Sequence, residues 1–164
     1  MLESRGRLDH EEGLITFVPS DVWSWHVDFI GKRDDSFYDM VLKPIAKFAK
    51  AHKKDIYILA HTNSKSENEF NSNIKSELEN MAPEIKVVIP EIKTVYDYER
   101  YISSSYLLIG MRYHSVVLAA KNAVPFICIA YEQKMKEVSE YTNQLKYCVD
   151  LKHINQNIPL DILL

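Results

Sequence analysis

The chain has 164 residues, enough for one domain with a sizeable core. It is 46% hydrophobic and 26% charged with a net charge of -3, so it lacks the basic excess that a nucleic-acid or anionic-membrane partner requires. No apolar stretch approaches the ~18 residues needed to span a bilayer. The start, with Glu3, Arg5, Arg7 and Asp9, lacks the apolar segment of a signal peptide, so a cytoplasmic protein without a membrane span is expected.

Residues Met1 to Gly13 are charged and aperiodic and read as a tail or linker remnant, leaving one domain over 14–164. Leu14 to Val18 is an apolar run stopped by Pro19, which suits a buried first strand. The loop from Ser20 to Asp35 carries Trp23, Trp25, His26 and Asp28, aromatics that most simply cap the edge of the core. From Phe37, apolar residues recur at Met40, Val41, Ile45, Phe48 and Ala49 with helical spacing. Pro44 should kink or break that helix.

Ile56 to Ala60 reads as a second strand ending at His61-Thr62. Ser66 to Glu69 has the capping-box spacing for a helix that turns Phe70, Ile74, Leu78 and Met81 inward. Lys86 to Ile89 supplies a third strand, Val95 to Ser103 a short helix, and Leu107 to Gly110 a fourth strand. The turn Met111-Arg112-Tyr113-His114-Ser115 then opens a helix through Ala119-Ala120. Phe126 to Ala130 is a fifth strand, the next helix begins in Tyr131 to Lys134 with Met135, Val138 and Thr142 on one face, and Tyr147 to Val149 is a short sixth strand. The segment to Leu164 should end in a partial helix.

Apolar rather than alternating strands, separated by helices, define an α/β fold: a Rossmann-like three-layer sandwich with a mostly parallel sheet of about six strands. All strand C-termini then lie on one edge, which collects Ser20-Asp21, His61-Thr62, Arg112-Tyr113-His114 and Tyr131 to Lys134. Arg112 offers a permanently charged fork for phosphate or carboxylate, and His114 can move a proton near neutrality. Arg112 could instead close its turn through a salt bridge, and Lys134 and Glu132 could simply be solvated helix residues.

Walker, GxGxxG, HExxH, GxSxG and paired CxxC patterns are absent, and no metal or cofactor is expected. His10, His52 and His153 read as solvated. Cys128 and Cys148 read as buried free thiols, suited to a reducing compartment.

The run Ser103 to Leu151 resembles the C-terminal part of the polysaccharide pyruvyl transferase family. The matching features are the strand into Gly110-Met111-Arg112-Tyr113-His114, the helix with Ala119-Ala120, Val124-Pro125, and Ile129-Ala130-Tyr131 followed by Lys134. Leu14 to Thr62 looks like the opening strand-helix-strand of the same domain. Ala123 stands where Gly is common in the family. Pro19 to Trp23 stands where an Arg is often found, so Arg33 or another cation takes that place, or donor specificity differs.

The resemblance implies one half of a GT-B-like, two-domain transferase. Its donor would be phosphoenolpyruvate, and its acceptor a saccharide of a surface polysaccharide or lipid-linked precursor, which would bring the protein to the membrane periphery. The strand-end convergence and the resemblance together lead to the expectation of catalysis by His114 and substrate binding by Arg112, Tyr113, Ser115, His61, Lys134 and Glu132. The resemblance also implies that the acceptor half lies outside this chain, in a missing N-terminal domain or a second subunit. Two other readings stay open: half of a GT-B glycosyltransferase or sugar-nucleotide epimerase, and a non-catalytic Rossmann-like interaction module.

Overall fold

The computed structural model describes residues 13–33, 35–154, 160 and 164. The expected tail up to residue 12, His10 and most of the expected closing helix lie outside the described residues. Apolar runs at the expected places form six strands: β1 (Ile15–Val18), β2 (Ile56–Ile58), β3 (Val87–Val88), β4 (Leu107–Gly110), β5 (Phe126–Ala130) and β6 (Cys148–Asp150). They make one sheet in the order β3-β2-β1-β4-β5-β6, and every pairing is parallel. β1 and β5 are buried at every position, as strands covered on both faces must be.

Right-handed crossovers place α2 (Lys43–His52) and α3 (Lys65–Met81) on one face. They place α4 (Val95–Ser103), α5 (Tyr113–Lys121) and α6 (Gln133–Tyr141) on the other. The packing agrees, with α2 against α3, and α5 against both α4 and α6. The result is a three-layer Rossmann-like sandwich. Among the described residues, no helix is long and apolar enough to cross a membrane.

Local chemistry sets the element ends. Pro44 has no N–H to give the carbonyl four residues back, and the turn before it, Tyr38–Leu42, widens to a π-helix that runs into α2. The expected break at Pro44 is therefore a π-turn. The loop after β1 holds one helical turn, α1 (Val22–Trp25), where only loop was expected. The expected capping box at Ser66 is displaced by two residues: Ser64 is the N-cap, and its hydroxyl accepts from Glu67 N. Both registers satisfy the S-x-x-E pattern, but capping at Ser64 lets Glu67 turn inward while Glu69 stays exposed.

The passage from β4 to α5 depends on close packing. A Cβ on Gly110 would lie 2.7 Å from Ser115 Oγ and 3.0 Å from Val116 Cγ2. The Ser115 hydroxyl is not free to turn away, because it donates to the Arg112 carbonyl at 2.6 Å. Gly110→Ala should therefore destabilise the domain by about 1–3 kcal/mol. Urea unfolding measures this, and a midpoint unchanged from wild type would remove the packing argument.

Between α5 and β5, Ala123 has φ +54. A left-handed residue is needed there to turn the chain back to the sheet, which is a physical reason for glycine to be favoured at this position.

Candidate active site

The strand order reverses between β1 and β4, so a crevice opens at their C-terminal ends, where doubly wound sheets hold ligands. The edge carries two adjoining hollows that share Thr62. One, of about 380 Å³, is lined by Asp21, Ser24, Trp25, Thr62, Glu67 and Arg112 among others. The second, of about 540 Å³ and mostly apolar, lies between the β2 end, α4 and α5. Its walls include His61, Thr94, Tyr98, His114 and Val117. A larger hollow of about 810 Å³ sits at the opposite edge of the sheet, around Tyr106, Leu107, Pro125 and Phe126, and no Arg or His among the described residues lines it.

Arg112 is the N-cap residue of α5, in extended backbone at the head of the helix. Its side chain is 16% exposed and its Nη2 lies 3.5 Å from Glu67 Oε1, whose own side chain is 5% exposed. Glu67 accepts from the backbone N–H groups of His61 at 2.8 Å and Thr62 at 2.9 Å, and from the Thr62 hydroxyl. The carboxylate thus ties the β2 end to α3 and holds the guanidinium in place. Arg112 Nε is buried without a hydrogen-bond partner, so the fork has a donor to spare.

Glu67→Gln would turn an amide N–H₂ toward groups that also donate. Loss of about 1–3 kcal/mol in urea unfolding is expected, and an unchanged stability would show that Glu67 does not organise this edge.

Arg112 is bracketed by aromatics. The Trp25 ring centroid lies 5.9 Å from its guanidinium carbon, and Tyr131 meets Trp25 edge-on at 5.7 Å. Burial, then the Glu132 charge, raises the Tyr131 phenol above its ordinary pKa, and Arg112 opposes the shift. Trp23 behaves as expected, packed on Phe37 and Phe70. Trp25 does not: it is 50% exposed at the crevice mouth.

His114 is exposed on the first turn of α5 and stacks on His61, with ring centroids 5.7 Å apart and planes 13° from parallel. Partial burial of the ring, followed by the Arg112 charge, lowers the His61 pKa and so favours the neutral imidazole. Tyr98 is buried behind His61, and burial pushes its phenol well above the usual range.

The remaining expected residues sit as follows. Tyr113 meets His114 edge-on and lies under Lys134 Nζ at 5.3 Å. Lys134 pairs with Glu132 at 3.1 Å across the start of α6. Ser115 is fully buried and spends its hydroxyl on its own turn. Arg33 lies over Phe70, and neither hollow includes it. His52 and His153 are exposed. No cluster of three or more potential metal ligands occurs among the described residues.

Sequence reasoning missed Glu67 and Trp25. The second S-x-x-E register at Ser64 pointed to Glu67. Trp25 had only its place in an aromatic-rich loop.

A parallel sheet with a buried arginine fork and paired histidines at its switch point defines a Rossmann-like α/β domain equipped to hold an anionic ligand and move a proton. The family model of polysaccharide pyruvyl transferase matches residues 4–133, a span that contains both hollows and Arg112, His114, Tyr131 and Glu132. The chain belongs to that family. Lys134 lies just beyond the match. Comparison with curated proteins found no match.

Proposed function

We propose that this domain takes phosphoenolpyruvate as donor and transfers its pyruvyl group to a saccharide of a polysaccharide or its precursor. The observation that carries this reading is Arg112: a nearly buried guanidinium with an unpartnered Nε, at the head of a helix whose next two residues are the half-buried Tyr113 and the exposed His114. Phosphoenolpyruvate presents a phosphate and a carboxylate. A guanidinium fork and first-turn helix amides match both anions.

The chemistry uses the neighbouring groups. His114 delivers a proton to the enol methylene carbon while a sugar hydroxyl adds to the adjacent carbon and gives up its own proton. A second hydroxyl then attacks that same carbon and gives its proton to His114, which the first step left without one. The new C–O bond forms as the C–O bond to phosphate breaks, phosphate departs with the electron pair, and a cyclic ketal remains. His61, neutral and stacked on His114, is placed to accept a hydroxyl proton.

Trp25 offers the acceptor an exposed aromatic face, ringed by Asp21, Ser24 and Ser64. A planar apolar face beside convergent polar groups suits a sugar ring. The domain then works as one half of a GT-B-like cleft, with an acceptor-side wall opposite this edge.

Thermal unfolding with added ligands tests the donor assignment. Phosphoenolpyruvate should raise the melting temperature in a saturable way, and a nucleotide sugar such as UDP-glucose should not. The reverse pattern would assign the crevice to a sugar nucleotide and end the pyruvyl-donor reading.

A further inference from the structure

Away from the crevice, the two cysteines of the chain meet across the outer pair of strands. Cys128 in β5 and Cys148 in β6 are Cα partners in the parallel register. Opposed residues on paired strands point to the same face, and neighbouring strands lie ~4.8 Å apart, inside the ~4.4–6.8 Å Cα range that a disulfide spans. Both are free thiols.

Their surroundings differ in a useful way. Cys128 is fully buried, with its thiol facing the Met135 carbonyl at 3.8 Å. Cys148 is half-buried on the edge strand. Lys136, paired with Asp150, adds positive charge nearby. The neighbouring Cys128 thiol, helped by Ser139 and Lys136 against the opposing effects of burial and Asp150, lowers the Cys148 thiol to about 7. The same contact raises Cys128 far above its ordinary range.

We propose that Cys148 and Cys128 form a reversible dithiol site, in which Cys148 reacts with peroxide-class oxidants and Cys128 resolves the product as an intrachain disulfide. The Cys148 thiolate attacks one peroxide oxygen, the O–O bond breaks, and the departing hydroxide leaves as water after taking a proton. Cys148 is then a sulfenic acid and no longer carries the charge that holds the proton on Cys128. Cys128 attacks its sulfur, the S–O bond breaks, and the oxygen leaves as a second water with the Cys128 proton. Two thiols lose two electrons to one peroxide. The site is independent of the donor assignment.

Thiol labelling and oxidation of the intact chain test the proposal. Iodoacetamide should modify Cys148 at least about tenfold faster than Cys128 at pH 7, with a rate that levels off above about pH 7 rather than near the ~8.5 of an ordinary thiol. Hydrogen peroxide should remove both thiols and produce a Cys128–Cys148 crosslinked peptide that dithiothreitol reverses. In Cys128→Ser the reaction should stop at a sulfenic acid on Cys148 that dimedone traps. Equal labelling rates, oxidation of Cys148 without the crosslink, or crosslinks only between chains would each overturn it. The wild-type labelling needs no variant, so a misfolded substitution cannot obscure the result.

Discussion

Replacing His114 with alanine should cut pyruvyl transfer by about 10²–10⁴-fold, the usual contribution of a positioned proton donor. Affinity for phosphoenolpyruvate should change by no more than about threefold, since uniform binding rests elsewhere. The imidazole is exposed on the first turn of α5, stacked on His61, and makes no structural hydrogen bond among those described. Its removal takes away a proton route without disturbing the fold. His114→Gln, which keeps a polar group but cannot deliver a proton near neutrality, should be as inactive as alanine. The check is phosphate release with donor and a saccharide acceptor, in parallel with a donor titration. Wild-type turnover in either variant would remove His114 from the chemistry.

Arg112→Ala should act on binding and on stability together. The side chain supplies the fixed positive charge of the hollow beside Trp25, and charge-assisted hydrogen bonds contribute about 1.5–3 kcal/mol each, so donor affinity should fall at least about tenfold for each bond lost. Its removal also leaves Glu67 buried without its cation, and breaking a buried pair from one side costs about 3–5 kcal/mol. The variant should therefore unfold at a lower urea concentration and, while still folded, fail to bind the donor. Arg112→Lys should recover part of the stability but little of the binding, because an ammonium lacks the planar fork. Full donor affinity in a folded Arg112→Ala protein would end its assignment as the anion anchor.

Much of this architecture is legible in the sequence because each strand is a short apolar run closed by a polar or proline residue. The helix Val95–Ser103 and the strand Phe126–Ala130 have the bounds their patterns predict. The strand order is another matter. Pairing β1 with β4 joins segments far apart in the chain, and local periodicity carries no record of it. Only that pairing shows that the β1 end and the Arg112 turn border one crevice.

The site was legible in the same uneven way. Arg112 and His114 stand out because two polar groups interrupt two buried elements. Their division between adjoining hollows does not, since it depends on the direction each side chain takes from the first turn of α5. Glu67 was hidden by overlapping capping patterns, and only the true phase of α3 decides which glutamate turns inward. The salt bridge considered for Arg112 exists, but its partner comes from α3 rather than from the same turn. That bond and an anion site are compatible, because Glu67 engages Nη2 while Nε remains unpartnered.

The most direct test of the account is a calorimetric titration of phosphoenolpyruvate into the wild-type protein and into Arg112→Ala. Saturable one-site binding to wild type and its loss in the folded variant are expected. Equal binding to both proteins, or no binding to folded wild type, would contradict it.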